Sequence, residues 1–324
     1  MRNKSIDGLR SSLALIIVFF HYYCRFNQIY FSNCFLGFRY LGVIGGETFM
    51  ILSCYLLTKE YNDNFRLIQY IKRKFFRLYP RYFLSITFTM ICLHIFYLPN
   101  RTVSLKDYFY NILFINGYLQ TPYVDSAHWY IFTLFSAILV VGLLKKLHIF
   151  DKFLSYICWM CFAYIIFKSK FIGSKILYNI LGGNYIGIIC VGLSLGRFLN
   201  SEYISKIYLL KFGGIILCSF LYTYVFKDTS STLLLIPALV IVWSVVNFKI
   251  KFLQNKFFLH LSKLSYSLYL IHQNIGYSLE YMFILKFGKE YLWLYGIVSF
   301  IIVLNLSYLI ELIIKNLEKI SLST

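Results

Sequence analysis

The 324-residue sequence has few charged residues, and acidic residues are the scarcest of them. Asp, Glu, Lys and Arg make up 14% of the chain, against roughly a quarter in a soluble domain, while 59% of the residues are apolar. This composition excludes a disordered chain and argues against an ordinary cytosolic enzyme. With a mean hydropathy of +0.67, the chain has instead the character of a membrane protein.

The shortage of acidic residues leaves a net charge of +19, because 32 Lys and Arg stand against 13 Asp and Glu. On a soluble protein this excess would indicate nucleic acid binding. Polytopic membrane proteins, however, keep Lys and Arg in their cytoplasmic loops. Topology therefore accounts for most of the charge, and we predict no nucleic acid partner.

Ten stretches have the length and apolar character of a membrane span. They are 11–31, 39–58, 81–98, 128–147, 151–168, 184–200, 206–226, 231–248, 261–285 and 291–314. With the N-terminus inside, about two thirds of the 32 Lys and Arg residues fall on the cytoplasmic side. We predict an all-α, polytopic integral membrane protein with about ten transmembrane helices and both termini cytoplasmic. It would form a single membrane domain over residues 1–324, with no separate soluble domain.

Sequence signatures of other protein classes are missing. The chain has no Gly-x-Ser-x-Gly turn, so a serine nucleophile is not indicated. Cys158 and Cys161 form a CxxC without a second ligand pair, so we predict buried packing for both thiols and no metal site. The first five spans do not repeat in the second five, which disfavours an inverted-repeat transporter.

Ionisable residues inside predicted spans are costly and therefore indicate function. In the first span, Asp7, Arg10 and His21 share one helical face, with His21 about three turns beyond Arg10. In the second span, Glu47 reaches a similar depth and needs a cation, for which His21 is the nearest candidate. The plainer alternatives are a core histidine and a carboxylate that stabilises a helix pair.

Two further spans carry polar residues. The ninth predicted span aligns four residues on one polar face: Ser265, Tyr269, His272 and Gly276. His272 lies near mid-depth, so His21, Glu47 and His272 are predicted to line one water-accessible cavity. His128 and Trp129 open the fourth span at the outer surface, where we interpret both as interfacial.

A basic segment follows the second span. Residues 59–81 hold seven Lys and Arg and end in YIKRKFFRLYPRY. Lys74, Arg77 and Arg81 share a helical stripe, as do Arg73 and Arg77. Ordinary positive-inside topology would explain this segment, and a phosphate clamp for an anionic cytoplasmic ligand is the functional alternative.

Four segments resemble, in the expected order, motifs of the membrane-bound acyltransferase-3 family, which O-acylates bacterial surface polysaccharides. They are IDGLR with the Arg10-x10-His21 spacing, GGETFMILSCYLL, KRKFFRLYPRY and LSYSLYLIH, and the resemblance covers nearly the whole chain. Three positions depart from the family pattern, one of them Leu134 in the fourth span, where many members carry Glu. Lys74 stands at the first Arg of the family's Arg-x-x-Arg, unless the register uses Arg73, and Cys54 stands where Gly is usual.

The resemblance implies a multi-pass enzyme of the bacterial cytoplasmic (inner) membrane. Its expected activity is O-acyl transfer, with acetyl as the expected group, from cytoplasmic acyl-CoA to a glycan hydroxyl. The glycan would be an O-antigen, capsule or exopolysaccharide, or a lipid-linked oligosaccharide precursor. Acetyl-CoA is the expected donor, without a metal, and the oligomeric state is open. The alternative is a transporter or flippase of isoprenoid-linked sugar, which leaves the basic segment unexplained.

Acyl transfer chemistry suggests a role for each candidate residue. His21 is expected to act as the base on the acceptor hydroxyl and Glu47 to orient it, with an acyl-histidine relay left open. The CoA phosphates are expected at four basic residues: Arg10, Arg73, Lys74 and Arg77. The substrate cavity is expected at Asp7, Ser53, His128, Trp129, Tyr269 and His272, of which Tyr269 and His272 are candidate donors to the oxyanion.

Overall fold

The computed structural model describes residues 3–31, 36–59, 65–201 and 204–323. The chain is helical over these ranges and forms no strand within them, which confirms the all-α prediction. The α-helices are α1 Lys4–Phe20, α2 Phe26–Tyr30, α3 Leu36–Leu57, α4 Leu67–Ile95, α5 Leu105–Ile112, α6 Asn116–Leu119, α7 Trp129–Lys146, α8 Phe153–Lys168, α9 Ser174–Ile180, α10 Ile186–Leu199, α11 Lys206–Phe226, α12 Thr229–Asn247, α13 Lys256–Phe287 and α14 Leu292–Ser323. A π-helical turn, His21–Arg25, joins α1 to α2, and 3₁₀ turns occur at Ser126–His128, Gly183–Tyr185 and Lys251–Gln254.

Each of the ten predicted spans falls on a helix, although not all of these helices are long and apolar enough to cross a bilayer. Among the described residues, five meet that requirement: Tyr40–Leu57, Ser126–Lys146, Lys206–Phe226, Thr229–Asn247 and Leu292–Lys319. A sixth span is possible if α9 and Gly183–Leu199, which meet at a bend of 40°, cross together. The protein is therefore a membrane protein, while the count of ten spans and the terminal orientation stay predictions.

The chain divides into two compact units. The first unit consists of Met1–Gly45, Arg77–Trp129 and Phe248–Thr324, and the second of Gly46–Phe76 and Tyr130–Asn247. In the first unit, α13 packs against α1 and α14. In the second, α11 packs against α8, α10 and α12.

The start of α1 explains the glycine of the IDGLR segment. Asn3 caps the helix by accepting a hydrogen bond from the backbone N–H of Ser5 at 3.0 Å. A Cβ at Gly8 would overlap the backbone carbonyl of Leu253 in the 3₁₀ turn before α13. Glycine at this position lets α1 approach that turn closely, and Ser11 then donates to the carbonyl of Phe258 at 2.9 Å.

An ion pair between helices stabilises the first unit. Arg81 on α4 donates from Nε to Oε1 of Glu311 on α14 at 2.9 Å, and from a terminal nitrogen to Oε2 at 2.9 Å. The hydroxyl of Ser267 on α13 donates to the same carboxylate at 2.5 Å. The bidentate ion pair and the bond from Ser267 join three helices through one carboxylate.

A buried lysine plays a comparable part in the second unit. Lys145 near the end of α7 is fully buried, and its Nζ donates to the carbonyl of Leu57, the last residue of α3, at 2.8 Å. The same Nζ lies 5.4 Å from the ring centre of Tyr70 and 4.9 Å from that of Phe150. A basic side chain thus caps the carboxyl end of α3.

The cysteines correct one prediction. Cys158 and Cys161 are free thiols on the exposed side of α8, so the prediction of buried packing for them was wrong. The helix is apolar on all sides, so its sequence has no period that distinguishes an inner face from a lipid-facing one. Cys24, in the turn after α1, is disulfide-bonded. Disulfides are typical of oxidising compartments. The predicted orientation would put this turn on the non-cytoplasmic side, and that orientation stays a prediction.

Candidate functional site

His21 is presented by the π-helical turn that follows α1. The backbone N–H of Phe26 bonds to the carbonyl of His21 five residues back, which is the wide turn of a π-helix. Such turns rotate the following residues out of the α-helical register and are common at functional sites. His21 is half-buried, and its Nδ1 lies 2.9 Å from the hydroxyl of Tyr277 on α13.

His272, on α13, lies directly beside His21. Their rings meet edge to face with centres 4.9 Å apart, so the structure brings two of the three predicted mid-depth groups together. Gly276 makes this approach possible, because a Cβ there would overlap the ring of Tyr22. Tyr22 is buried, and its hydroxyl donates to the backbone carbonyl of His272 at 2.9 Å. The π turn is therefore bonded to α13 at the backbone carbonyl of this histidine.

The contacts of His272 set its tautomer. Nδ1 lies 2.7 Å from the carbonyl oxygen of Tyr269, and a carbonyl only accepts, so Nδ1 carries the proton in the neutral ring. Nε2 then bears the lone pair. In this form Nε2 cannot donate to an oxyanion, so the structure disfavours the donor role suggested for His272.

The segment before α7 bonds to α13 close to His272. Asp125 is fully buried; its Oδ1 accepts from the N–H of Ala127 at 2.9 Å and its Oδ2 from the N–H of Asn274 at 2.8 Å. The side chain of Asn274 donates to the carbonyl of Val124 at 2.8 Å. Burial raises the pKa of Asp125 to about 6, although these backbone donors and Arg101 oppose the shift.

His128 also belongs to this segment and packs against α13. It is fully buried, and its Nε2 donates to the carbonyl of Leu270 on α13 at 2.8 Å. The chain before α7 thus packs onto α13, and the interfacial interpretation of His128 stays a prediction. Tyr269 reinforces the contact by donating to the carbonyl of Ala127 at 3.1 Å, while Trp129 is half-buried at the start of α7.

The second unit holds Glu47 and Ser53. Glu47 on α3 is 3% exposed, and its Oε1 lies 3.4 Å from Nζ of Lys227, which follows α11. Lys227 supplies the cation that a buried carboxylate needs. Ser53 shares a 2.6 Å hydrogen bond with the hydroxyl of Tyr130. The prediction that Glu47 orients His21 stays a prediction.

The basic residues of α4 fall into different environments. Arg73 and Arg77 are exposed. Lys74 is buried, with Nζ 5.6 Å from the ring centre of Tyr70. Arg81 forms the ion pair with α14 described above. Of the predicted stripe, only Arg77 is exposed, and its neighbour Arg73 is the more accessible alternative to Lys74.

The IDGLR residues of the first motif lie in α1. Asp7 is buried and Arg10 half-buried, eleven residues before His21. In the part of the chain that the structure describes, no three His, Cys, Asp or Glu side chains are grouped to hold a metal ion.

Sequence reasoning missed the residues that hold the two imidazoles in place. Tyr277, Asp125 and Asn274 were not singled out, nor was Lys227 as the partner of Glu47. Asp125 did carry a usable signal, since an Asp just before a helix start is a typical N-cap. Tyr277, on an almost entirely buried stretch of α13, had none.

Comparison with known proteins adds one finding. A family model described as an acyltransferase domain, that of the acyltransferase-3 family, matches residues 3–312. No curated protein and no solved structure matches the chain. The match covers nearly the whole sequence, including every residue of the site described above.

Proposed function

The chain belongs to the acyltransferase-3 family and is a membrane enzyme that transfers acyl groups; we propose that it is an O-acetyltransferase of bacterial surface glycans. Acetyl-CoA would bind from the cytoplasm, and the acceptor would be a hydroxyl of a surface glycan or of its lipid-linked precursor. The enzyme would reside in the bacterial cytoplasmic membrane. The observation that carries this proposal is the family match over residues 3–312, which includes the paired imidazoles of α13 and the π turn.

His21 is proposed as the base. Acyl transfer to a hydroxyl requires a group that removes the hydroxyl proton as the new C–O bond forms. If Nδ1 of His21 donates to the hydroxyl of Tyr277, 2.9 Å away, Nε2 bears the lone pair that this role needs. Tyr277 is fully buried, so its hydroxyl would hold the imidazole in one orientation.

The donor is proposed to bind at the basic face of α4. Arg73 and Arg77 are exposed, and guanidinium groups bind phosphate through two parallel hydrogen bonds. Arg10 and Lys74 remain candidates through their places in the family motifs. Lys74, which is buried, would contribute charge rather than a direct fork to the CoA phosphates.

The proposal is tested by glycan analysis in cells. Wild type, His21→Ala and a control, His94→Ala, are expressed at equal membrane levels in a strain that lacks the protein. His94 is a matched control because its Nδ1 bonds the carbonyl of Met90 in its own helix, at 2.9 Å. We expect NMR of the glycan to show O-acetyl groups in wild type and the control but not in His21→Ala. Unchanged acetylation in His21→Ala would refute the assignment of the base.

A second assay separates an enzyme from a carrier of lipid-linked sugar. Purified protein is incubated with radiolabelled acetyl-CoA and with glycan extracted from the deletion strain. Label on the glycan supports acyl transfer. A protein that moves lipid-linked sugar across vesicles without labelling it would contradict the proposed activity.

A further inference from the structure

Nε2 of His272 is a buried hydrogen-bond acceptor without a partner. His272 is fully buried, and no described residue bonds its Nε2. The carbonyl of Tyr269 holds the proton on Nδ1, so a lone pair remains on Nε2 in the neutral ring. Leaving such an acceptor unpaired in a protein interior costs free energy. Nδ1 of His128 is unpaired among the described residues too, and Nε2 of His272 differs from it because its ring lies beside that of His21.

The ring cannot turn to relieve this atom without breaking other bonds. Nδ1 is bonded within α13, and the backbone carbonyl of His272 accepts from Tyr22. Asp125 and His128 bond the backbone of α13 at Asn274 and Leu270, on either side of the histidine. The bond at Nδ1 therefore holds the ring and the other bonds hold the backbone around it, with the ring of His21 alongside.

We propose that Nε2 of His272 accepts a hydrogen bond from a second hydroxyl of the acceptor sugar, next to the hydroxyl that reacts at His21. This inference rests on the proposed function and deepens it. The two ring centres are 4.9 Å apart, a separation that suits two hydroxyls at neighbouring positions of one molecule. The acceptor is thus a sugar with adjacent hydroxyl groups rather than a simple lipid alcohol.

A buried nitrogen that can only accept a hydrogen bond makes the site selective for acceptors that carry a hydroxyl at that position. A site that is built to bond a substrate hydroxyl rejects an analogue without it, because the buried polar atom is then left unpaired. His272 would select the acceptor and position it, while His21 takes the proton. Loss of Nε2 should therefore weaken acceptor binding more than it slows the chemical step.

Two substitutions of His272 test the contribution of Nε2 alone. In His272→Asn the amide nitrogen can still donate to the carbonyl of Tyr269, but nothing replaces Nε2. In His272→Gln the amide oxygen reaches close to the position of Nε2. His94→Asn is the matched control, because it changes the same side chain with the same kind of Nδ1 bond, to Met90. All variants are full-length protein purified in one detergent.

The assay measures transfer of label from radiolabelled acetyl-CoA to increasing amounts of glycan extracted from the deletion strain. We expect His272→Asn to raise KM for the glycan about tenfold or more, with kcat within about threefold of wild type. His272→Gln should keep KM near the wild-type value, and His94→Asn should match wild type in both constants.

Other results would overturn the inference. If KM for the glycan is unchanged in His272→Asn, Nε2 does not bind the acceptor. If both substitutions lower kcat equally, His272 is a base or a structural residue. If the wild-type protein transfers no label to the glycan, the proposed function itself is refuted. This case is distinguished from the others because the His94→Asn control then transfers no label either.

A measurement on the wild-type protein covers the case in which His272→Asn does not fold. With ¹⁵N-labelled histidine, a bare Nε2 has a distinct NMR resonance, which moves when the nitrogen accepts a hydrogen bond. We expect the resonance of His272, assigned with His272→Gln, to shift on addition of the glycan without acetyl-CoA. A resonance that stays in place at saturating glycan would contradict the proposal.

Discussion

Removing one partner of the ion pair between Arg81 and Glu311 should destabilise the protein more than removing both. The two side chains are only 20% and 19% exposed, and the carboxylate also accepts from Ser267. Loss of one partner from a fully buried pair costs about 3–5 kcal/mol, because the other charge stays buried without compensation. Allowing for the remaining exposure, we expect about 2–4 kcal/mol for Arg81→Met or Glu311→Leu alone.

The double substitution separates the charge effect from lost packing. In Arg81→Met/Glu311→Leu both charges are gone and two apolar side chains fill similar space, which is often neutral. We therefore expect the double variant to recover to within about 1 kcal/mol of wild type. Thermal unfolding in one detergent, followed through the fluorescence of the four Trp residues, should show each single variant lowered by several degrees.

The second unit offers a matched control. Arg197 and Asp151 also form an ion pair, but their side chains are 27% and 45% exposed. Solvent screens such a pair, so Asp151→Asn should cost less than about 1 kcal/mol. Should the destabilisation of the double variant equal the sum of the single ones, the two charges do not interact and the reasoning from burial fails.

Three further outcomes are expected. Gly276→Ala should lower stability by about 1–3 kcal/mol and reduce acetyl transfer, because the new Cβ overlaps the ring of Tyr22; unchanged melting and transfer would refute this packing argument. Asp125 has a pKa raised from 3.8 to about 6 by burial, so its contribution to stability is largest below about pH 4 and is lost as the pH rises through 6. Asp125→Asn should remove that pH dependence of stability. A wild-type melting temperature that does not change between pH 4 and 6 would contradict this prediction. Arg73→Ala with Arg77→Ala should raise KM for acetyl-CoA without changing the melting temperature, since both side chains are exposed, and an unaltered KM would exclude them from the donor site.

Long apolar runs made the helices predictable. Every predicted span is helical, the first of them over α1, the π turn and α2, because a long and mostly apolar stretch leaves the backbone no better way to satisfy its hydrogen bonds in a membrane. The faces of those helices were less predictable. Cys158 and Cys161 are exposed on α8 although burial was expected, because an apolar helix in lipid has no polar face from which to infer its orientation.

Spacing along one helix identified the candidate imidazoles but not their surroundings. His21 and His272 were chosen for their depth, and the structure sets their rings side by side. The residues that hold them come from distant parts of the chain, such as Asp125 against Asn274. Such contacts depend on how separate helices pack, and a single sequence carries little information about that.

The chemistry of a buried histidine depends on which nitrogen carries the proton, and that is a property of tertiary contacts. His128 and His272 are both buried, and each donates one N–H to a backbone carbonyl, but the bonded nitrogen is Nε2 in His128 and Nδ1 in His272. In His128 the bonded nitrogen joins the segment before α7 to α13, so the histidine acts as a structural tie. In His272 the bond stays within one helix, and Nε2 has no partner among the described residues in a ring that lies beside that of His21. The residue type and the predicted depth in the membrane do not tell whether a histidine links two segments or bonds only its own helix. The two cases are distinguished by which carbonyl oxygen the ring bonds, and the sequence does not show that.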